Sequence, residues 1–507
     1  MKTICSSRKG GTNCLTQYQK NMSNYSSSDF EQDNEFKQAL AQYEEMKAEG
    51  RTGYFDAAQL ADFAEYYASM QQYDNAFEVI DFALSIHPEN TEVLVIKAHI
   101  LIDLDKIDEA KDIASSIPES YDRDVKMLKA ELLILDKKLE EADALIQGIM
   151  SLDENDDEDN FLDIAYLYTD ADLPEQALPW FEKAFKANPE NDEIRMSLAE
   201  CYGECKQIDK GAQLYNQLLD KDPYSVKSWF DLGRFYYTAE EFNKALEAYE
   251  FALTIDAEHP GSILMTAHCY YKLENFEKSC EYYERYEKID PKSGMTIFFI
   301  GLCHFNLKNY EKCIQKFTEA LDINQGLSPD TIDINTYIAL SYCELGLLDD
   351  AINYIDLAIN EDTSCADSYI NKGRIYLSFL DRENAAANFG KASKLNPEDP
   401  RIFSEIGAAY FEHKIYDMAL KCFETVEFYS PGYENNYISM AYTSAALGKL
   451  EEFNYYFIQA TKQNPDNILD NLDYLPEEET ELKQLIIDLR KAIEEDENLN
   501  INKPNYN

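Results

Sequence analysis

Between Val226 and Pro260 the chain reads VKSWFDLGRFYYTAEEFNKALEAYEFALTIDAEHP, two apolar stripes separated by a polar turn. Trp229, Leu232, Gly233 and Tyr236 are spaced i, i+3, i+4, i+7, and Ala245, Tyr249 and Ala252 are spaced i, i+4, i+7. Residues three and four apart share one side of a helix, so each set is one helical face. Ala239-Glu240-Glu241 between them is the turn. Gly233 and Ala245 are small where two antiparallel helices would cross closest. The stretch therefore predicts a helical hairpin with one apolar side, which it can bury only against neighbours.

The same pattern recurs along most of the chain. Phe161, Ile164, Ala165, Tyr168, Ala177, Phe181, Ala184 and Pro189 hold it, as do Tyr369, Gly373, Tyr376, Ala385, Phe389, Ala392 and Pro397. Pro189 and Pro223 are 34 residues apart, and so are Pro397, Pro431 and Pro465 in succession. Proline ends each second helix because it cannot donate to it and biases the preceding residue away from it. Four extra residues around Ser328-Pro329 shift the phase once.

The order W-x-x-L-G-x-x-Y, then Ala, aromatic, Ala, with this period, resembles the tetratricopeptide repeat. The one departure in the 226–259 unit is a closing proline at Pro260 rather than at Ala257. The resemblance implies an all-α fold, an α-α superhelix of about twelve hairpins with terminal capping helices. Units are expected near 57–90, 91–122, 123–156, 158–191, 192–225, 226–259, 260–293, 294–327, 332–365, 366–399, 400–433 and 434–467. Those at 91–122 and 123–156 are the weakest matches.

Residues 1–29, rich in Ser, Asn, Lys and Gly, read as a disordered tail, with Met22 an alternative start. Residues 30–50, with Phe36, Ala39, Leu40 and Tyr43, read as a capping helix. Residues 468–507 read as a C-terminal capping helix and tail, with Leu482, Leu485, Ile486, Leu489 and Ile493 on one face.

Charge sharpens the functional reading. Lysine plus arginine total 46 against 96 aspartate plus glutamate, a formal charge of −50. That field repels phosphate backbones and anionic membranes and favours basic partners. No apolar run reaches the roughly 20 residues of a membrane span, and the expected location is cytoplasmic. The eleven cysteines lack the paired spacings of a disulfide framework or zinc site. Cys201, Cys269 and Cys303 differ by multiples of 34 and read as core, and the Cys201/Cys205 pair likewise. The acidic run from Asp153 mimics the start of a calcium loop, but has Glu158 for the glycine and Ile164 at the twelfth position. His304 replaces the core aromatic of its unit. No nucleotide, zinc-protease or hydrolase motif occurs, so no enzyme, cofactor or metal is expected.

The resemblance implies a scaffold or adaptor that holds a partner on the inner face, lined by the first helix of each unit. The lysine–asparagine clamp of some members does not carry over, since its positions hold Phe230 and Arg234 in one unit and Ile370 and Arg374 in another. The expected groove residues are Phe230, Arg234, Tyr237, His268, Tyr271, Phe298 and Phe305. They would hold a protein or peptide partner, basic or apolar-aromatic, on a monomeric chain. The contrary reading puts Tyr237, Tyr271 and Phe305 in the hairpin core. A permanent subunit of a larger assembly is the alternative function, and an unrecognised enzyme the lesser one.

Overall fold

The computed structural model describes residues 34–49, 53–117, 122–150, 158–323 and 330–463. The N-terminal tail, most of the acidic run, Pro465 and the C-terminal capping segment lie outside the described residues. All described secondary structure is helical, and it divides into two compact units, Met1–Glu241 and Phe242–Asn507.

In the first unit the helices are α1 (Asn34–Ala48), α2 (Ala57–Ser69), α3 (Tyr73–Ile86), α4 (Thr91–Asp103), α5 (Ile107–Ser116) and α6 (Arg123–Leu135). They continue as α7 (Leu139–Met150), α8 (Glu158–Asp170), α9 (Pro174–Ala187), α10 (Asp192–Glu204), α11 (Ile208–Lys221) and α12 (Val226–Thr238). The second unit opens with α13 (Phe242–Ile255), α14 (Pro260–Lys272), α15 (Phe276–Glu287), α16 (Gly294–Asn306), α17 (Tyr310–Ile323), α18 (Thr331–Glu344) and α19 (Leu348–Glu361). It closes with α20 (Ala366–Ser378), α21 (Arg382–Leu395), α22 (Pro400–Glu412), α23 (Tyr416–Tyr429), α24 (Asn436–Ala446) and α25 (Leu450–Gln463). After α1 the helices fall in twelve consecutive pairs along the chain.

Local chemistry starts most of the first helices and stops all of them. Asp56, Asn90, Asp122, Asn191 and Ser225 accept backbone N–H groups at the starts of first helices in the first unit. His259, Ser293, Asp330 and Asp399 do so in the second. Such a cap contributes about 0.5–2 kcal/mol. Each first helix then stops on a left-handed residue: Gln71, Asp105, Lys137, Asp172, Lys206 and Glu240, and in the second unit Glu274, Lys308, Gly346, Leu380, Lys414 and Gly448. The next amide returns to a carbonyl inside the helix, as Gln207 N to Tyr202 O at 2.8 Å and Asn309 N to His304 O at 2.8 Å. This closes the helix end and turns the chain back.

Inside the hairpins, small residues let the helices approach. A Cβ at Gly301, Gly373 or Gly407 would come within 2.7, 2.3 or 2.6 Å of the Phe317, Phe389 or Phe423 ring of the facing helix. Ala76, Ala142 and Ala177 in the first unit, and Ala351, Ala385 and Ala419 in the second, are fully buried at the matching place on second helices. Cys201, Cys269 and Cys303 are buried too. At the N-terminal end, α1 lays Phe36 and Tyr43 on Phe63 of α2, each ring pair at 5.6 Å. Within each unit successive first helices touch, α2 to α4 to α6 and α18 to α20 to α22. Their outward sides form one face per unit.

Candidate functional site

In the first unit this face is charged. The ninth residues of α2, α4, α6, α8, α10 and α12 are Glu65, His99, Glu131, Tyr166, Glu200 and Arg234. Burial pushes the Glu65 carboxyl up to about 7, and Asp62 beside it adds to the effect. Burial works against a charge on His99, but Glu131 Oε2 at 3.1 Å from its Nδ1 outweighs that and raises it. Glu200 and Asp231 are both raised by burial, with Arg234 acting against the shift. Arg234 Nη2 lies 2.9 Å from Glu200 Oε1 and 3.8 Å from Asp231 Oδ1. Poorly solvated carboxylates gain most from a cation that replaces lost water.

Of the expected residues in this unit, Phe230 and Tyr237 are half-buried on α12 with Arg234. The ladder Glu65–His99–Glu131 was missed. Its signal was present in the sequence, for Glu65 and His99 are 34 residues apart, as are Glu200 and Arg234.

The second unit is aromatic on the corresponding face. His268 Nδ1 pairs with the Tyr283 hydroxyl, and its ring stands edge-on to Phe299 at 4.9 Å. Burial, helped by Lys272, holds His268 down to about 4, so it is neutral at pH 7. Tyr271 sits edge-on to Phe276 at 5.4 Å and to Phe299 at 5.6 Å. Phe298 meets Phe299 at 6.0 Å, Phe317 at 5.4 Å and Tyr337 at 6.4 Å. Phe305 meets Tyr310 at 5.9 Å and Tyr337 at 5.2 Å. The structure thus brings His268, Tyr271, Phe298 and Phe305 into one continuous seam of rings from α14 to α18. All four are half-buried: His268, Phe298 and Phe305 pack on the buried rings of Tyr283, Phe317 and Tyr337, and Tyr271 packs on the half-buried Phe276 and Phe299. Tyr271 and Phe305 each contact both their own hairpin and the next first helix.

Away from these rings, Cys280, Glu284 and His304 bring ligand atoms within 4.8 Å of one another. Cys201 is buried and its thiol donates to Pro174 O at 3.5 Å, whereas Cys205 is half-buried.

Sequence profiles of the tetratricopeptide repeat match residues 67–132, 162–226, 296–326 and 366–399. The profile of the middle TPR-like domain of cilia and flagella-associated protein 70 matches 196–297. The chain is a multi-repeat tetratricopeptide-repeat protein. The array is 24% identical over 179 residues to human protein O-mannosyl-transferase TMTC1, covering 34% of this chain and 20% of that protein. It thus spans about a fifth of that relative. Among solved structures, yeast Tom70 is 15% identical, with 92% of this chain and 94% of that one covered and a TM-score of 0.40. A tetratricopeptide-repeat protein from Parabacteroides merdae is 18% identical, with 50% and 98% covered and a TM-score of 0.38. No described helix of the array is long and apolar enough to cross a membrane.

Proposed function

We propose that this array is a non-enzymatic scaffold that grips a protein partner on the faces of its first helices. The observation that carries this is the seam of half-buried rings His268, Tyr271, Phe298, Phe299 and Phe305. Rings fixed on one side and open on the other present apolar area at low entropic cost, the usual anchor for a peptide or partner helix. The desolvated carboxylates Glu65 and Glu200 favour lysine or arginine in what binds the first unit. The hairpins fill the described chain from 57 to 463, and the chemistry they present is suited to holding rather than transforming. A cytoplasmic, monomeric protein with a basic, apolar-aromatic partner segment fits this reading.

The test is a panel of labelled peptides titrated onto the full chain. Basic peptides with Phe, Tyr or Leu should bind, more weakly as salt rises, and acidic ones should not. Phe230→Ala combined with Phe298→Ala should weaken binding at least about tenfold while helicity persists. Binding that survives both changes, or equal binding of acidic peptides, refutes the proposal, and loss accompanied by unfolding returns these rings to the core.

A further inference from the structure

Most other units carry a tyrosine where α16 carries His304, although Leu101, Leu133 and Ser444 stand there in three of them. In α10 and α14 that tyrosine, Tyr202 or Tyr270, donates its hydroxyl to a glutamate 20 residues earlier, Glu182 at 2.7 Å and Glu250 at 2.9 Å. Glu284 lies 20 residues before His304 and occupies the same place. The pair is thus altered from tyrosine–glutamate to histidine–glutamate, and a cysteine joins it. Cys280 and Glu284 are one turn apart on α15, with Sγ 3.8 Å from Glu284 Oε1 and 3.9 Å from His304 Nε2. His304 is 7% exposed and Cys280 6%, whereas Glu284 is exposed.

His304 is poorly satisfied as it stands. Its Nδ1 has no hydrogen-bond partner, and its Nε2 faces only a sulfur at a distance too long for a good bond. A cation on Nε2 would satisfy the nitrogen that faces Cys280, while Nδ1 would keep its proton and stay without a partner. A thiolate, an imidazole and a carboxylate are a zinc donor set. Around a tetrahedral zinc ion, sulfur at about 2.3 Å and nitrogen at about 2.1 Å lie about 3.6 Å apart. The two separations from Cys280 Sγ are within a few tenths of an ångström of that, and the Glu284 and His304 ligand atoms lie within 4.8 Å of each other.

We propose that Cys280, Glu284 and His304 form a binding site for one zinc-type divalent cation, with water in the fourth position, that ties α15 to α16. Binding replaces the Cys280 thiol proton, which leaves to solvent, and the other two groups donate lone pairs. Glu284 on the solvent side gives the ion a way in. Lys316, whose charge opposes a cation nearby, is held by Glu287 at 2.6 Å and Glu319 at 3.1 Å. Lys312 also lies close enough to lower His304 and remains a repulsive neighbour.

The experiment titrates zinc, by calorimetry, into the full chain after chelator treatment under reducing conditions. Cobalt(II) in its place reports thiolate ligation through its charge-transfer absorption. One saturable site is expected, with the cobalt–thiolate band present in the natural chain and absent in Cys280→Ser. Glu284 is exposed, so Glu284→Gln should fold and keep the cobalt–thiolate band but weaken zinc binding at least about tenfold, since losing even an outer-shell partner costs about 10–100-fold. Cys205→Ser, at the Cys201/Cys205 pair near the end of α10, should change nothing. Failure to saturate, zinc affinity unchanged in either Cys280→Ser or Glu284→Gln, or binding lost in Cys205→Ser overturns the site.

Discussion

At Gly407 an added methyl would come within 2.6 Å of the Phe423 ring, whereas at Gly390, also helical, it would meet nothing within 4 Å. Gly407→Leu should therefore cost about 1–3 kcal/mol by overpacking the hairpin. Gly390→Ala should gain about 0.5–1 kcal/mol, because alanine is the better helix former. Urea denaturation separates the two by sign. His268 shows a second residue-scale effect. The unfolded chain takes up a proton there below the ordinary 6.5, but the folded one only near 4. Its share of stability is therefore complete above pH 6.5 and lost as the pH falls toward 4. His268→Gln should flatten the stability profile in that window relative to the natural chain. Glu65, raised to about 7, contributes the opposite slope in both proteins and cancels in the difference.

The hairpin as an element depends on its left-handed turn residue. Leu380 sits at φ 62° and is 85% exposed, so its side chain gains little to offset the backbone strain. Leu380→Gly should stabilise by about 1 kcal/mol, since glycine enters this region without the Cβ clash. Gly448, at φ 72° with nothing within 4 Å of a Cβ, should lose a similar amount on Gly448→Ala, purely through the backbone. Paired chemical denaturation curves test both. If neither midpoint moves, the turn conformation does not limit the hairpin. These turns were only partly legible in the sequence. Lys206, Glu240 and Lys308 carry none of the glycine signal that marks a left-handed residue, and the helix end forces the conformation on them.

Across each unit, stability is shared among neighbours, because a hairpin buries its apolar side only against the next one. The N-terminal end therefore matters more than its length implies. Phe36 and Tyr43 of α1 cover Phe63, and Tyr43 also meets Phe55 at 5.8 Å and Phe82 at 5.9 Å. Removing residues 1–49 exposes that ring cluster, and should lower the melting temperature and produce larger species on size exclusion. A truncated chain that elutes as a monomer with the original melting curve would show that α1 is no cap.

The hairpins, their number and their small crossing positions were written in the sequence, because each is set by spacing within a few helical turns. Phe389 facing Gly373 and Phe423 facing Gly407 needed only the period of the helix and the length of the turn. What a given ring does was not readable. Tyr271 and Phe305 touch rings of their own hairpin and of the next first helix at once, and sequence spacing cannot divide one side chain between core and face. The Glu65–His99–Glu131 ladder and the approach of His304 to Cys280 and Glu284 were likewise decided by tertiary structure. Local preference places each of these residues on its helix. Only the stacking of hairpins brings residues from successive helices within reach, and only there does burial change what a carboxyl, an imidazole or a thiol can do.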